Sequence, residues 1–490
     1  MDGRRNRASH GAKLNDARPF VRVIVPAFNK AELTASCFRS LLLTDWPRNR
    51  LDLVLVDNGS SDEVTAGVSS LSDEIRVVSS PVNLGFAGGC NLGTQAHSDD
   101  LGRPLSAFDY LALINNDAEV HPAWLEEMVA IAEAQDDVGV VSAKILLAPK
   151  FSEVVIAPVM RGSSDDAYLE IRDVLVNGSH QDQRLKFDEV FVEDPELNSA
   201  GRHSFWVGRR GAIRIVDDVT HSGDIVVRIE LSATSDVDVQ IRSGPHETMI
   251  RVPGRSDSVQ VDVQVHRECF DVLNSAGGEL YRNGSGGDRG YLERDSSQFD
   301  EEAEVFSWCG AGALVRRSFL DEVGLFDERL FVYYEDLDLS WRGRLAGWRY
   351  VFAPRAVIRH HHAQTSVAGS DLFRYFTTRN RLLVLTKNAP WGLALRALLG
   401  EIQRFLAGVF RILTTMNEKS RRQQYEESVF RAKVLASYFR HSPWMLARRW
   451  TMVRRMDRSV PMSWLVEKRN DPGFLIDRGR IKAGSRWTRI

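Results

Sequence analysis

At 490 residues, with 43% hydrophobic and 26% charged content, the chain has the make-up of an ordinary globular protein of two or three domains. A net charge of −3 excludes bulk charge as a guide to partners, but its distribution is uneven: Ser370 to Ile490 holds 25 Lys and Arg against 9 Asp and Glu, or +16, which leaves −19 for residues 1–369. Four cysteines (Cys37, Cys90, Cys269, Cys309) lie far apart with no CxxC, which argues against a disulfide framework or a zinc site and fits a reducing cytosol.

Residues 1–19 read as a polar, basic, disordered tail without the apolar core of a secretory signal. No run of 18 or more apolar residues marks a spanning helix. Val21 to Pro26 then reads as a strand, and Asn29 with Glu32 resembles a capping box opening a helix through Leu33, Cys37, Phe38 and Leu41. A second strand, Leu51 to Val56, ends in Asp57 and a turn, and Ile75 to Ser79 reads as a third. The glycines of Asn83 to Asn91 would let backbone approach a ligand closely, or would make a tight strand-to-helix connection.

The apolar run from Tyr110 stops abruptly in Asn115-Asn116-Asp117. Polar groups at a strand's carboxyl end are where open α/β sheets hold ligands, although Asn and Asp also favour plain turns. A hard cation bound to a diphosphate needs only one or two protein carboxylates, and Asp117 can supply one. A helix from Pro122 to Gln135 follows, and the strand–helix alternation predicts a mostly parallel sheet with Asp57 and Asp117 on one edge.

From about Lys150 to Phe270 the pattern changes to period-2 runs such as Gly223 to Leu231 and Ser258 to Val265, separated by turn residues. This predicts an inserted antiparallel β domain, most simply a sandwich, that binds a glycan or protein or merely spaces and stabilises. Asn274 to Asp300 is rich in Gly and Ser and reads as a mobile binding loop or a slack connector. Trp308 to Val315 is a buried-looking strand, and Phe331 to Arg342 leads into a helix whose Glu335, Asp336 and Asp338 either complement the helix dipole or do chemistry. Arg349 to Ile358 is a further strand, closing in His360, His361 and His362. From Asp371 onward, basic amphipathic helices suit packing or an anionic membrane face.

Val25-Pro26-Ala27-Phe28-Asn29, Val56 to Asp62, Asn83 to Asn91, Asn115-Asn116-Asp117, Gly324 to Glu328 and Tyr334 to Leu339 together resemble glycosyltransferase family 2, and more narrowly its bacterial rhamnosyltransferase-type branch. The resemblance covers about residues 20–147 and 270–388. It implies a GT-A type α/β fold with a mostly parallel sheet and flanking helices in residues 20–149 and 271–370. An all-β insertion (150–270) and a basic helical region (371–490) lie outside the minimal pattern.

By the same resemblance Asp336 is the catalytic base, and Asp117 and His360 hold a divalent metal, Mg2+ or Mn2+. Pro26, Phe28, Asn29, Asp57, Asn83, Gly85, Gly88, Asn91, Asn115 and Asn116 face the nucleotide-sugar donor, with Asp57 at the nucleobase. Glu335, Trp308 and Cys309 are candidates for the acceptor side. The family's DxD reads Asn115-Asn116-Asp117 here, so its first carboxylate is missing.

The implied activity is inverting transfer of a sugar, rhamnose first, from a nucleotide diphosphate to a hydroxyl of a lipid-linked or polymeric cell-surface glycan. The implied setting is the cytoplasmic face of the plasma membrane, with an anionic membrane surface as a partner and no nucleic acid. Galactofuranose or N-acetylglucosamine as the sugar, or a catalytically weak glycan-binding protein, are the alternatives. A nucleotidyltransferase is disfavoured because no Gly-rich, Lys-bearing loop follows the first strand, where Pro26-Ala27-Phe28-Asn29 stands.

Overall fold

The computed structural model describes residues 18–159, 168–181, 184–187, 192–197, 203–207, 210–217, 223–254, 257–361, 370–414 and 418–466. The expected tail up to residue 17, His362, and the end of the basic region from residue 467 lie outside them. The chain divides into two compact units, one of residues 1–148, 274–289 and 297–466, the other of residues 149–273, 290–296 and 467–490.

The first unit is α/β. Its strands are β1 (Val21–Ala27), β2 (Leu51–Asn58), β3 (Ile75–Ser80), β4 (Tyr110–Ile114), β5 (Ala118–Val120), β6 (Val138–Leu147), β7 (Gly312–Arg316) and β8 (Arg349–His360). They form a mixed sheet in the order β3-β2-β1-β4-β7-β6-β8, with Ala303–Glu304 at the far edge. Pairs β1–β2, β1–β4, β2–β3 and β6–β8 are parallel, and β7 runs antiparallel to both neighbours. Strands covered on both faces need near-continuous apolar runs, and β1, β4 and β6 are buried at every position.

Helices α1 (Ala31–Leu41), α2 (Val64–Ser69), α3 (Gly85–Gln95) and α4 (Trp124–Ala134) follow the first strands. Cys37, Phe38 and Leu41 of α1 and Trp124, Leu125 and Met128 of α4 share one apolar cluster with the sheet. Arg22, buried in β1, donates to the carbonyls of Gly93, Thr94 and Ala96 at the end of α3 and to Ser106 O at 2.7 Å. The cation thus satisfies carbonyls that a helix end leaves without intrahelical donors.

The expected capping box does not form. Asn29 and Lys30 both take left-handed backbone, φ +61° and +70°, which turns Asn29 away from α1. Its Oδ1 instead accepts from Ser61 N at 2.8 Å, and the free N–H of Ala31 donates to Asp62 Oδ2 at 3.0 Å. The cap therefore comes from the loop after β2.

After the β unit the α/β unit resumes with α5 (Arg317–Val323), α6 (Glu335–Ala346), α7 (Asp371–Asn388), α8 (Trp391–Thr414) and α9 (Glu418–Thr451). The glycine-rich stretch expected as a loop contains a hairpin, Gly278–Tyr281 with Gly286–Asp288, turning at Gly284 with φ +78°. Its glycines serve close approach rather than slackness: a Cβ on Gly287 would stand 2.4 Å from the Tyr281 hydroxyl, and one on Gly284 2.7 Å from Leu385. The strand expected from Trp308 starts at Gly312, because a turn closed by Gly312 N to Cys309 O at 3.2 Å precedes it.

The basic helices are packed elements. Leu337, Trp341 and Leu345 of α6 join Leu382, Leu383 and Leu385 of α7 and Val434, Tyr438 and Met445 of α9 in one core. Inside it Asp338, wholly buried, meets Lys387 Nζ at 2.9 Å, Arg342 Nε at 2.9 Å and Asn388 Nδ2 at 2.8 Å. Burial alone would raise this carboxyl, but Lys387 and Arg342 more than reverse that and hold it below its ordinary value.

Among its described residues the second unit is β, with two antiparallel five-stranded sheets. In the strand Val226–Ala233, Val227, Ile229 and Leu231 enter its core with Ile156, Ile213 and Ile241, while Val226 and Arg228 face out.

Candidate active site

Four strand ends, those of β1, β2, β4 and β8, set out polar groups along the carboxyl edge of the α/β sheet. At the end of β2, half-buried Asp57 accepts from Ser60 N at 2.9 Å and Thr65 Oγ1 at 2.8 Å, and so is fixed by its own loop. Next to it Asn58 donates to Gly85 O and accepts from Leu84 N, both at 2.9 Å, and Asn83 Oδ1 accepts from Gly85 N at 2.8 Å. Gly85 has φ +74°, and a Cβ there would stand 2.4 Å from Phe331 O, so no other residue fits. Gly88 is buried in α3. The buried Asn91 accepts from Phe326 N and donates to Phe326 O and Glu328 Oε1, and so ties α3 to the segment before α6. Pro26 is buried in β1, while Phe28 stands 40% exposed beyond the strand end. Asn29 N donates to Ser60 Oγ at 2.9 Å, linking the loops after β1 and β2.

Just past the end of β4, Asn116 is buried and donates to Thr34 Oγ1 of α1 at 3.0 Å and to Asn29 O. Asp117 is 5% exposed, and its Oδ1 lies 2.9 Å from His360 Nε2 at the end of β8. The other ring nitrogen of His360, Nδ1, lies 2.7 Å from Asn274 Oδ1. When Nδ1 donates to that oxygen, the Nε2 lone pair faces the carboxylate, the orientation a metal-binding histidine needs. His361 turns instead to Glu119, with 3.3 Å between Nε2 and Oε1. Asn115 approaches His360 Nε2 through Nδ2 at 3.3 Å, and its Oδ1 is buried with no hydrogen-bond partner among the described residues.

These groups fit a hard divalent cation. Two cis ligands of an octahedral ion at 2.0–2.1 Å stand about 2.9 Å apart, the separation of Asp117 Oδ1 from His360 Nε2. The unpartnered Asn115 oxygen beside them is a further hard donor. Among the described residues no group of three or more His, Cys, Asp and Glu forms a closed metal cluster, and a cation shared with a diphosphate does not require one.

The third set surrounds the start of α6. Phe331, Tyr333 and Tyr334 all have positive φ, +66°, +66° and +71°. Non-glycine residues in this region are strained by about 1–3 kcal/mol each, so something must hold them. Asn380 of α7 does, with Nδ2 within 2.7–2.9 Å of the carbonyls of Leu330, Val332 and Tyr333. Arg379 adds bonds to Arg329 O and Leu330 O.

The segment so held delivers Asp336, whose Oδ1 accepts from Leu337 N at 2.7 Å and Oδ2 from Gly310 N at 3.3 Å. Burial raises the Asp336 carboxyl, and those two N–H donors oppose the rise. Glu335 is raised well above its ordinary value by burial and then by Asp336, and its Oε2 is buried without a partner among the described residues. Trp308 is buried edge-on to Phe326, behind this segment.

Sequence reasoning missed Asp288, at the end of the strand Gly286–Asp288. Its carboxyl is pushed up to about 7, first by burial and then by Asp336, against the Ser275 hydroxyl, His360 and the Cys309 thiol. The charges of Asp336 and His360 thus act on it in opposite directions. The signal was available, a carboxylate closing a short strand, as at Asp57 and Asp117. Arg379 and Asn380 gave none beyond two polar residues on the buried side of a helix.

Against known proteins, residues 22–153 match the model described as Glycosyl transferase family 2, and residues 288–381 match Glycosyltransferase like family 2. Glycosyltransferase AglE of Haloferax volcanii is 28% identical over 115 residues, 23% of this chain and 35% of that protein. The N-acetylglucosaminyl-diphospho-decaprenol L-rhamnosyltransferase of Mycobacterium tuberculosis is 49% identical over 57 residues, 12% of this chain and 19% of that one. The matched parts thus span about a third or less of these relatives. Among solved structures, a mannosyltransferase from Pyrobaculum calidifontis in complex with GDP-Man and Mn2+ aligns over 88% of each chain at 13% identity, with a TM-score of 0.38. The two family matches contain Asp57, Asp117, Asp288 and Asp336, and in these two stretches, 22–153 and 288–381, the chain is of the glycosyltransferase family 2 type.

Proposed function

We propose that this protein moves a sugar, rhamnose first, from a nucleotide diphosphate to a hydroxyl of a lipid-linked or polymeric glycan, with inversion at the anomeric carbon and a divalent metal. What supports this reading is the Asp117–His360 pair at 2.9 Å beside the unpartnered Asn115 oxygen, with Asp336 presented at the start of α6 in the same unit. Rhamnose and a lipid-linked acceptor are favoured by the 49% identity to the rhamnosyltransferase named above, over 57 residues.

Asp57, fixed by Ser60 and Thr65, holds the nucleobase side of the donor, whereas the glycines of α3 serve packing, Gly85 against Phe331, Gly88 against Leu84 and Gly93 against Val56 and Ile24. Asp117, His360 and the Asn115 oxygen would hold the cation, which when bound would stabilise the charge that develops on the departing diphosphate. Asp336 accepts the proton of the acceptor hydroxyl as its oxygen forms the new bond to the anomeric carbon. The bond from that carbon to the phosphate oxygen breaks, and its electron pair leaves with the nucleoside diphosphate. A carboxyl raised by burial is a stronger base than an exposed one, which suits this role near neutral pH. The basic region from Ser370 places the enzyme at an anionic lipid surface on the cytoplasmic side, where each basic residue near the surface adds about 1 kcal/mol.

Calorimetric titration of donor with and without Mn2+ tests the site. Wild type should bind the nucleotide sugar at least about tenfold more tightly with metal, and Asp117→Ala should lose that gain while keeping the metal-free affinity. Equal donor affinity with and without metal in the wild type overturns the metal assignment.

A further inference from the structure

Helix α8 has two apolar faces, and among the described residues only one of them is packed. Ala394 and Ala397 enter the core shared with Val434, Tyr438 and Met445 of α9. On another side Leu395, Leu399, Leu406, Val409, Phe410 and Leu413 are exposed, three of them heavily: Leu399 at 63%, Phe410 at 66% and Leu413 at 81%. Their spacings of four, seven, three or four, and three residues, with half-buried Ile402 filling the long step, keep them on one line down the helix. From Leu395 to Leu413 the stripe runs about 27 Å along the helix. A continuous apolar stripe of this kind on a water-facing surface marks a place where something else binds.

The charges beside the stripe decide what that is. Exposed Arg396 and Arg411 flank it, exposed Arg440 and Trp450 lie on the neighbouring α9, and residues 370–490 carry +16. A second copy seated on the stripe would bring two such regions together, whereas anionic headgroups complement them. Among the described residues no helix is long and apolar enough to cross a membrane. An amphipathic helix flanked by arginine lies in the plane of the interface, with its apolar side chains among the upper acyl carbons.

We propose that the exposed face of α8, from Leu395 to Leu413, inserts into the interfacial layer of an anionic bilayer. This rests on the membrane reading given above and goes beyond it. Charge attraction alone would leave the protein on the headgroups, whereas the stripe anchors it by burial of apolar side chains.

Co-sedimentation of the full chain with vesicles of phosphatidylcholine, alone and mixed with phosphatidylglycerol, separates the two. The double variant Leu406→Asp with Phe410→Asp should lower partition onto the mixed vesicles by roughly tenfold or more at low and at high salt, since burial of each such side chain is worth a factor of that order. Arg396→Gln with Arg411→Gln should lower it less, and only at low salt. Donor hydrolysis and melting temperature should match wild type in both variants, because all four positions are exposed and outside the site. If the Asp variant partitions like wild type, insertion is wrong and a purely electrostatic attachment stands. A wild type that binds neither vesicle overturns the membrane reading as well. A dimer in light scattering that the Asp variant splits assigns the stripe to a second copy and overturns the proposal too.

Discussion

The donor side of the site and the segment that carries Asp336 are built in different ways. Along the sheet edge, Asp57 is held by Ser60 and Thr65, three and eight residues away, and Asn83 by its own turn. Strand register places these groups, and near neighbours fix them. At Asp336 the backbone passes through left-handed Phe331, Tyr333 and Tyr334, and what holds it is Asn380, 47 to 50 residues further on. The edge is therefore locally encoded and tolerant, whereas the base is positioned by strained backbone that depends on α7. Damage to α7 should reach turnover before it reaches donor binding.

The sharpest test of this division is Asp336→Asn, which keeps the shape and one of the two N–H contacts, because the amide oxygen can still accept from Leu337 N but the amide nitrogen accepts from nothing. Loss of the base costs on the order of 10²- to 10⁴-fold in rate, or about 2.7–5.4 kcal/mol of barrier. Donor affinity and melting temperature should stay near wild type, as measured by calorimetry and thermal unfolding. Retention of more than about a tenth of wild-type turnover passes the role to Glu335. Asp338 is not a replacement, since Lys387, Arg342 and Asn388 surround its carboxylate in the core.

A smaller effect is expected from Asn380→Ala. It strips the carbonyls of Leu330, Val332 and Tyr333 of their shared donor, at about 1–3 kcal/mol for a buried group left unmet. Relaxation of the three positive-φ residues then displaces Asp336. Turnover should fall by roughly 10- to 100-fold, by analogy with misplacement of a catalytic group, with metal-dependent donor affinity unchanged. A variant that melts earlier yet turns over like wild type would show that α7 stabilises the fold without positioning the base.

The same division explains what was legible in the sequence. Asp57 and Asp117 stand out because an apolar strand that stops in a carboxylate is a local pattern, and the α/β and all-β halves separate by the period of their apolar residues. The capping box at Asn29 failed because the competing partners, Ser61 and Asp62, lie about 30 residues away. The glycine-rich stretch looked slack because the side chains its glycines accommodate, Tyr281, Leu337 and Leu385, are partly far along the chain. Asn91 reads as a donor ligand by motif, yet its amide ties α3 to Phe326 and Glu328. Arg379 and Asn380 were illegible because only tertiary contact gives them a task.

The smallest expected effect concerns Asp288, which lies between the two halves of the comparison. Its carboxyl titrates near 3.9 in an unfolded chain and at about 7 in the folded one. Between those values the folded state keeps a proton that the unfolded state has lost, so the proton-binding difference favours folding less as pH rises. The sign is the reverse of an ion-paired carboxylate: stability is greatest below about pH 4, falls as pH climbs to about 7, and is level beyond. Such a displacement corresponds to at most about 4 kcal/mol, and the partial exposure of the side chain reduces it to about 1–2 kcal/mol. Asp288→Asn removes the ionisation while it can still accept from Ser275 or Cys309. Urea unfolding should therefore find the variant more stable than wild type at pH 8 and equal to it near pH 4. The fall in turnover on acidification should also keep its Asp336 component and lose any inflection near 7. If the stability difference is the same at both pH values, Asp288 is an ordinary ionised carboxylate, and the link it makes between Asp336 and His360 is not electrostatic.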